Sequence, residues 1–208
     1  MILNIVLAAV VIILGVKLAM TASNKSEEAA SSEDAVLQNI AARTSIRAYE
    51  NKPVEKHKVE KLLRAGMAAP SALNKQPWHF VVIDERELLD EIGSQFPNAK
   101  AIKTAPLAIV VCGNMDKAIE GTGKDFWIQD ASAATQNILL AATSMGLGSL
   151  WTGFYPDPDR VSRLSKLLAL PENLVPLNVI LVGYAAEQPT PKDKYKEENI
   201  SYNGYDAE

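Results

Sequence analysis

Cysteine and histidine are scarce in this chain. Its 208 residues hold one cysteine, Cys112, and two histidines, His57 and His79. No internal disulfide can form, and no Cys/His set has the spacing of a zinc site. Histidine-based nucleophilic or acid–base catalysis has little material to work with. Basic excess is also missing: 21 Lys and Arg stand against 25 Asp and Glu, a net charge of −4, which argues against a general nucleic-acid binder. There is no internal repeat, no P-loop and no dinucleotide-binding glycine fingerprint. Hydrophobic residues at 48% and charged residues at 22% are those of a folded chain, and the length fits one domain with an appendage. If chemistry happens here, a cofactor carries it.

One long apolar run is present. Residues 1–20 contain only two polar side chains, Asn4 and Lys17. At about 1.5 Å per residue, such a run spans a bilayer core of roughly 30 Å. No Lys or Arg precedes it and Ala19-Met20-Thr21-Ala22 is a poor cleavage site, so an uncleaved anchor is expected rather than a secretory signal. Lys17 and Lys25 on the C-terminal flank place the folded domain in the cytoplasm by the positive-inside tendency; export after signal cleavage is the alternative. Residues 21–33, rich in Ser, Ala, Asn and Glu, read as a linker, and the folded domain covers 34–208.

Helical spacing of apolar residues predicts short helices from Asp34 to near Thr44 and from Glu55 to Ala69, where Pro70 stops the second. Strands are expected over 78–83, 105–112, 148–154 and 175–182, and further helices over 85–96, 124–145 and 158–170. The long helix over 124–145 is apolar almost all round, which points to burial, and Gly146 is its C-cap. After Gly183 the chain turns polar and aperiodic, an extended arm.

Three irregular segments carry groups suited to an anion or a flat ring. In Arg43-Thr44-Ser45-Ile46-Arg47, alternation puts Arg43, Ser45 and Arg47 on one side of an extended chain, a phosphate clamp; alone it reads equally as a solvated basic turn. The loop from Pro70 to Trp78 offers Ser71, Asn74 and backbone groups between two prolines, and alone reads as an ordinary helix-to-strand connection. Gly146 to Phe154 lets the backbone approach a flat ligand closely. Later, Lys192 and Lys194 add two cations on one side of the arm.

In order and spacing these segments resemble the flavin-dependent nitroreductase family. The match covers about 34–208, through ARTSIRAY, PSALNKQPWHFVV, MGLGSLWTGF and VGYAAEQPTPKDK. The resemblance implies an α+β fold, a three-layer α/β/α sandwich with a mainly antiparallel central sheet and an extended C-terminal arm. It implies noncovalent FMN at the interface of an intertwined homodimer, with no metal. Arg43, Thr44, Ser45 and Arg47, joined by Lys192 and Lys194, would hold phosphate and ribityl oxygens. Where many relatives carry Arg at the position of Lys194, this chain keeps the charge and loses the bidentate fork. Pro70, Ser71, Ala72 and Asn74 would reach the flavin of the partner subunit. Trp151, Thr152 and Gly153 would lie at the N5 edge. NAD(P)H would reduce the flavin, and a nitroaromatic or quinone would reoxidise it in a ping-pong sequence. Two other readings stand beside this one: a reductive dehalogenase of the same fold, disfavoured because residues 116–124 supply Glu120 and Lys124 but no Tyr, and a non-enzymatic flavin-binding module.

Overall fold

A computed structural model describes residues 34–205. Its contacts divide the chain after Ala41. Helix α1 (residues 34–42) ends at that division, and its Val36, Leu37 and Ile40 are exposed. Beyond it, helix α2 (Lys56–Met67) leads to strand β1 (Trp78–Ile83), helix α3 (Arg86–Gln95) and strand β2 (Leu107–Asn114). Helix α4 (Phe126–Ser144), strand β3 (Gly148–Gly153), helix α5 (Pro158–Leu167) and strand β4 (Leu174–Gly183) follow.

The four strands form one sheet in the order β1-β2-β4-β3, and every pairing is antiparallel. In β2, Leu107, Ile109 and Val111 point to one face, where they join Leu62 of α2 and Ile138 of α4 in one apolar cluster. Ala108, Val110 and Cys112 point to the other, with Leu89 of α3 and Leu164 of α5. A strand read as continuously apolar is therefore buried on both faces, and the α/β/α layering follows. The sheet has one defect. The β2–β4 register slips between Val111 and Cys112, which face Asn178 and Pro176, so Leu177 is the extra residue of a β-bulge.

Local chemistry sets the element ends. Asp157 caps α5 by accepting from the amides of Asp159 and Arg160, with Pro158 in the first turn. Gly146 at φ +70° closes α4, the Leu147 amide returning to the Ala142 carbonyl at 2.9 Å.

The expected membrane anchor and cytoplasmic placement are corrected. The segment 1–20 and the linker 21–33 lie outside the described residues, and no helix among the described residues is long and apolar enough to cross a membrane. The longest of them, the 19-residue α4, does carry an apolar circumference, but it spends it on the sheet and on α2.

Candidate functional site

The segment after α1 is strapped to the outer edge of β3. Ser45 bridges Ser149 in parallel, and the Ile46 amide donates to the Ser149 carbonyl at 3.0 Å. The strap then runs beside the start of the C-terminal arm: Glu50 N–H donates to Tyr184 O at 2.9 Å and Ala186 N–H to Ala48 O at 2.9 Å. The buried Tyr49 hydroxyl donates to Ile46 O at 2.7 Å and locks the turn. Glu187 accepts from the amides of Arg47 and Ala48.

This places four of the expected cofactor-binding residues, Arg43, Thr44, Ser45 and Arg47, around the first residues of β3. Thr44 and Ile46 also line a cavity of about 140 Å³ with Gly146 and Gly148. The guanidinium groups here form no ion pair among the described residues. Half-buried Arg43 makes no hydrogen bond or ion pair among the described residues, and the Arg47 guanidinium reaches only the Ser45 carbonyl, at 3.4 Å. Lys192 and Lys194 are exposed on the arm and likewise unpaired among the described residues. The arm is tied down at Glu187, and no recorded bond draws either lysine to Arg43. A half-buried guanidinium with no protein counter-charge is suited to receive an anion.

Further along β3 the sheet edge is open. Successive residues of an antiparallel strand direct their N–H and C=O groups alternately to the two sides. Ser149 faces Ile46, while Phe154 N–H donates to Leu177 O at 3.0 Å on the β4 side. Trp151 and Gly153 therefore share the Ser149 direction, with no strand there to receive them. Trp151 is exposed, a Cβ built on Gly153 meets nothing within 4 Å, and the Thr152 hydroxyl between them is buried without a partner. Opposite Gly153 sits Asn178, fully buried: its amide donates to Thr135 Oγ1 of α4 at 2.9 Å while its own oxygen has no partner.

The loop after α2 is held elsewhere, against α4. The Ala72 amide donates to Asp130 Oδ1 at 2.9 Å, and Ser71 Oγ accepts from Gln76 N–H at 2.9 Å. Leu73, Asn74 and Gln76 are all left-handed, at φ 52°, 54° and 50°. Three such non-glycine residues in four positions store backbone strain of the kind concentrated at ligand clamps. Pro70 and Asn74 are exposed, and Ser71 and Ala72 half-buried. Within the described chain this loop and the β3 edge are separate features, and no bond joins them.

The residues fit a phosphorylated planar group. Free cations lie at one end of the β3 edge, and toward the other end an open backbone donor at Gly153 stands beside an orphaned hydroxyl. Among the described residues there is no cluster suited to a metal. Cys112 is buried, its thiol pushed up to about 12 by desolvation, and is inert core. Trp127 is also core: it packs edge-on against Tyr155 at 5.0 Å. Sequence reasoning passed over Tyr49, Asp130, Asn178 and Glu187. Only Asp130 left a trace, as an acid in the apolar α4 sequence.

Comparison with known proteins gives the family and the fold. The model of the Nitroreductase family matches residues 40–97 and 91–184. A NADH dehydrogenase/NAD(P)H nitroreductase of Methanothermobacter thermautotrophicus is 44% identical over 165 residues, 79% of this chain and 85% of that protein. The crystal structure of a like-named protein from Bacteroides thetaiotaomicron is 48% identical, superposes with a TM-score of 0.77, and matches 82% of this chain and 98% of its own. An FMN-dependent nitroreductase from Clostridium difficile is 30% identical with a TM-score of 0.73, over 80% and 98% of the two chains.

Proposed function

The chain belongs to the nitroreductase family, and on that premise we propose that it is an NAD(P)H-dependent FMN oxidoreductase whose electron acceptor is a nitroaromatic, a quinone or a similar small aromatic. The observation that carries the reading is the β3 edge, with unpaired cations at its head and an unpaired Gly153 N–H further along. When bound, FMN would supply hydride transfer between NAD(P)H and the acceptor. Arg43, Ser45 and Arg47 grip the phosphate and ribityl oxygens, with Thr44 lining the adjoining cavity and Lys192 and Lys194 closing from the arm. Gly153 N–H orients the N5 edge, and Trp151 flanks it. The chain supplies no strong nucleophile because the reaction asks for none.

One protomer offers only one wall for the ring. The second wall in this proposal is the Pro70–Asn74 loop of another copy, within a homodimer. Exposed apolar side chains support this: Leu73 in the loop, Met67 at the end of α2, and Ile200, Tyr202 and Tyr205 on the arm. The decisive experiment reconstitutes the protein with FMN and follows its visible absorbance anaerobically during NADH and NADPH addition, then adds menadione or a nitrofuran. Bleaching followed by recovery is the expected result. A folded protein that refuses FMN ends the reading; bound flavin inert to both nicotinamides and every acceptor favours a non-enzymatic module, and halide release from a halophenol favours a dehalogenase.

A further inference from the structure

We propose that Asp130 is a positioning residue that holds the Pro70–Gln76 loop in its ligand-ready conformation and thereby sets flavin affinity; this rests on the FMN reading above. Asp130 lies on α4 with only 7% of its surface exposed, and no cation pairs with it among the described residues. Its one recorded partner is the Ala72 amide, 58 positions earlier in the chain, at 2.9 Å. For the fold alone that is an unfavourable place for a carboxylate, since burial without a counter-charge is costly. An alanine, as at Ala131 and Ala134 beside it, would pack there without that penalty.

What the carboxylate contributes is order in the loop. The other hydrogen bonds of 71–76 close within the loop itself: Asn74 N–H to Ser71 O, Lys75 N–H to Ala72 O, Gln76 N–H to Ser71 Oγ, and Gln76 Nε2 to Asn74 Oδ1. They shape it without fixing it to the body. Leu73 and Gln76 resist their left-handed backbone, which Asn74 between them tolerates, so an untethered loop relaxes toward other conformers. The Asp130 bond is the recorded tether from 71–76 to the helical layer.

The experiment compares Asp130→Ala and Asp130→Asn with the unaltered protein on two readouts. FMN affinity is measured by flavin fluorescence well below the melting temperature, and Ala72 amide exchange is measured without FMN. In Asp130→Ala, FMN binding weakens roughly tenfold and Ala72 exchange accelerates at least as much, while core amides of β2 keep their protection. Asp130→Asn retains an acceptor at the same atom and recovers most of both. A merely structural Asp130 would lower the melting temperature and leave the folded protein's FMN affinity unchanged; that result overturns the proposal. Should Asp130→Ala fail to fold, Asp130→Ser, whose hydroxyl is one bond shorter than the carboxylate that accepts from Ala72 N–H, decides: affinity and Ala72 exchange both unchanged overturn the tether, and loosening of both supports it. If even the unaltered protein takes up no FMN, the functional reading falls, whereas Ala72 exchange still reports on the tether.

Discussion

Removing Arg43 separates recognition of the phosphate from recognition of the ring. Its guanidinium is half-buried and makes no bond or ion pair among the described residues, so Arg43→Ala leaves the unliganded fold within about 0.5 kcal/mol of the original. A charge-assisted hydrogen bond contributes about 1.5–3 kcal/mol. Losing one from a phosphate therefore weakens FMN binding by about 10- to 150-fold, and nearer the lower figure because Arg47 and the arm lysines remain. Riboflavin lacks the phosphate, so its affinity should be the same in both proteins to within about twofold. Fluorescence titrations with both flavins at two salt concentrations read this directly. FMN affinity should fall with salt and riboflavin affinity should not. Equal loss for both flavins would place Arg43 against the ring or in the fold, and no loss for either would remove it from the site; both refute the phosphate assignment.

Two further outcomes test the framework around the site. Gly113→Ala would put a methyl 2.2 Å from Trp127 Cε3, in a packed layer that cannot yield cheaply, and should cost about 3 kcal/mol or more in calorimetric unfolding; Gly153→Ala, with nothing within 4 Å, should leave the unliganded melt within about 0.5 kcal/mol. Alkaline pH should also destabilise the fold. Burial raises the Cys112 thiol from 9.0 to about 12 and raises the Tyr49 hydroxyl as well, with Glu187 adding to the latter. The unfolded chain releases those protons first, so stability is full below pH about 9 and falls as pH climbs toward 12. In denaturant titrations Cys112→Ala should reduce that slope by up to about 1.4 kcal/mol per pH unit, and an unchanged slope would show that Cys112 does not contribute.

The elements were legible where they depend on local pattern. Trp78–Ile83 was expected and found with the same ends, because alternating bulky residues lie between a proline loop and a charged helix start. The continuous apolar run of β2 and the all-round apolar α4 signalled burial. Boundaries slipped where a single backbone torsion decides them: the apolar pattern carries α5 to Leu170, but the helix ends at Leu167, with Ala169 left-handed at φ 49°. The Arg43–Arg47 strap was legible as a motif. Its anchoring was not: Tyr49 locks the turn locally, but Glu187 meets the strap from about 140 positions away. Asp130 meets Ala72 across 58 positions, which no local pattern signals; Asn178 faces α4 by the same alternation that puts Ile180 and Val182 there, but its Thr135 partner is set by the packing of the helix on the sheet. The long apolar run at 1–20 lies outside the described residues, and no helix among those described is long and apolar enough to cross a membrane.

A crystal structure of the FMN-loaded protein tests the central claim most directly. The account predicts phosphate oxygens within hydrogen-bond distance of both Arg43 and Arg47, with the ring's N5 edge at the Gly153 amide. A flavin bound away from the β3 edge, with Arg43 still lacking an anion, would contradict it.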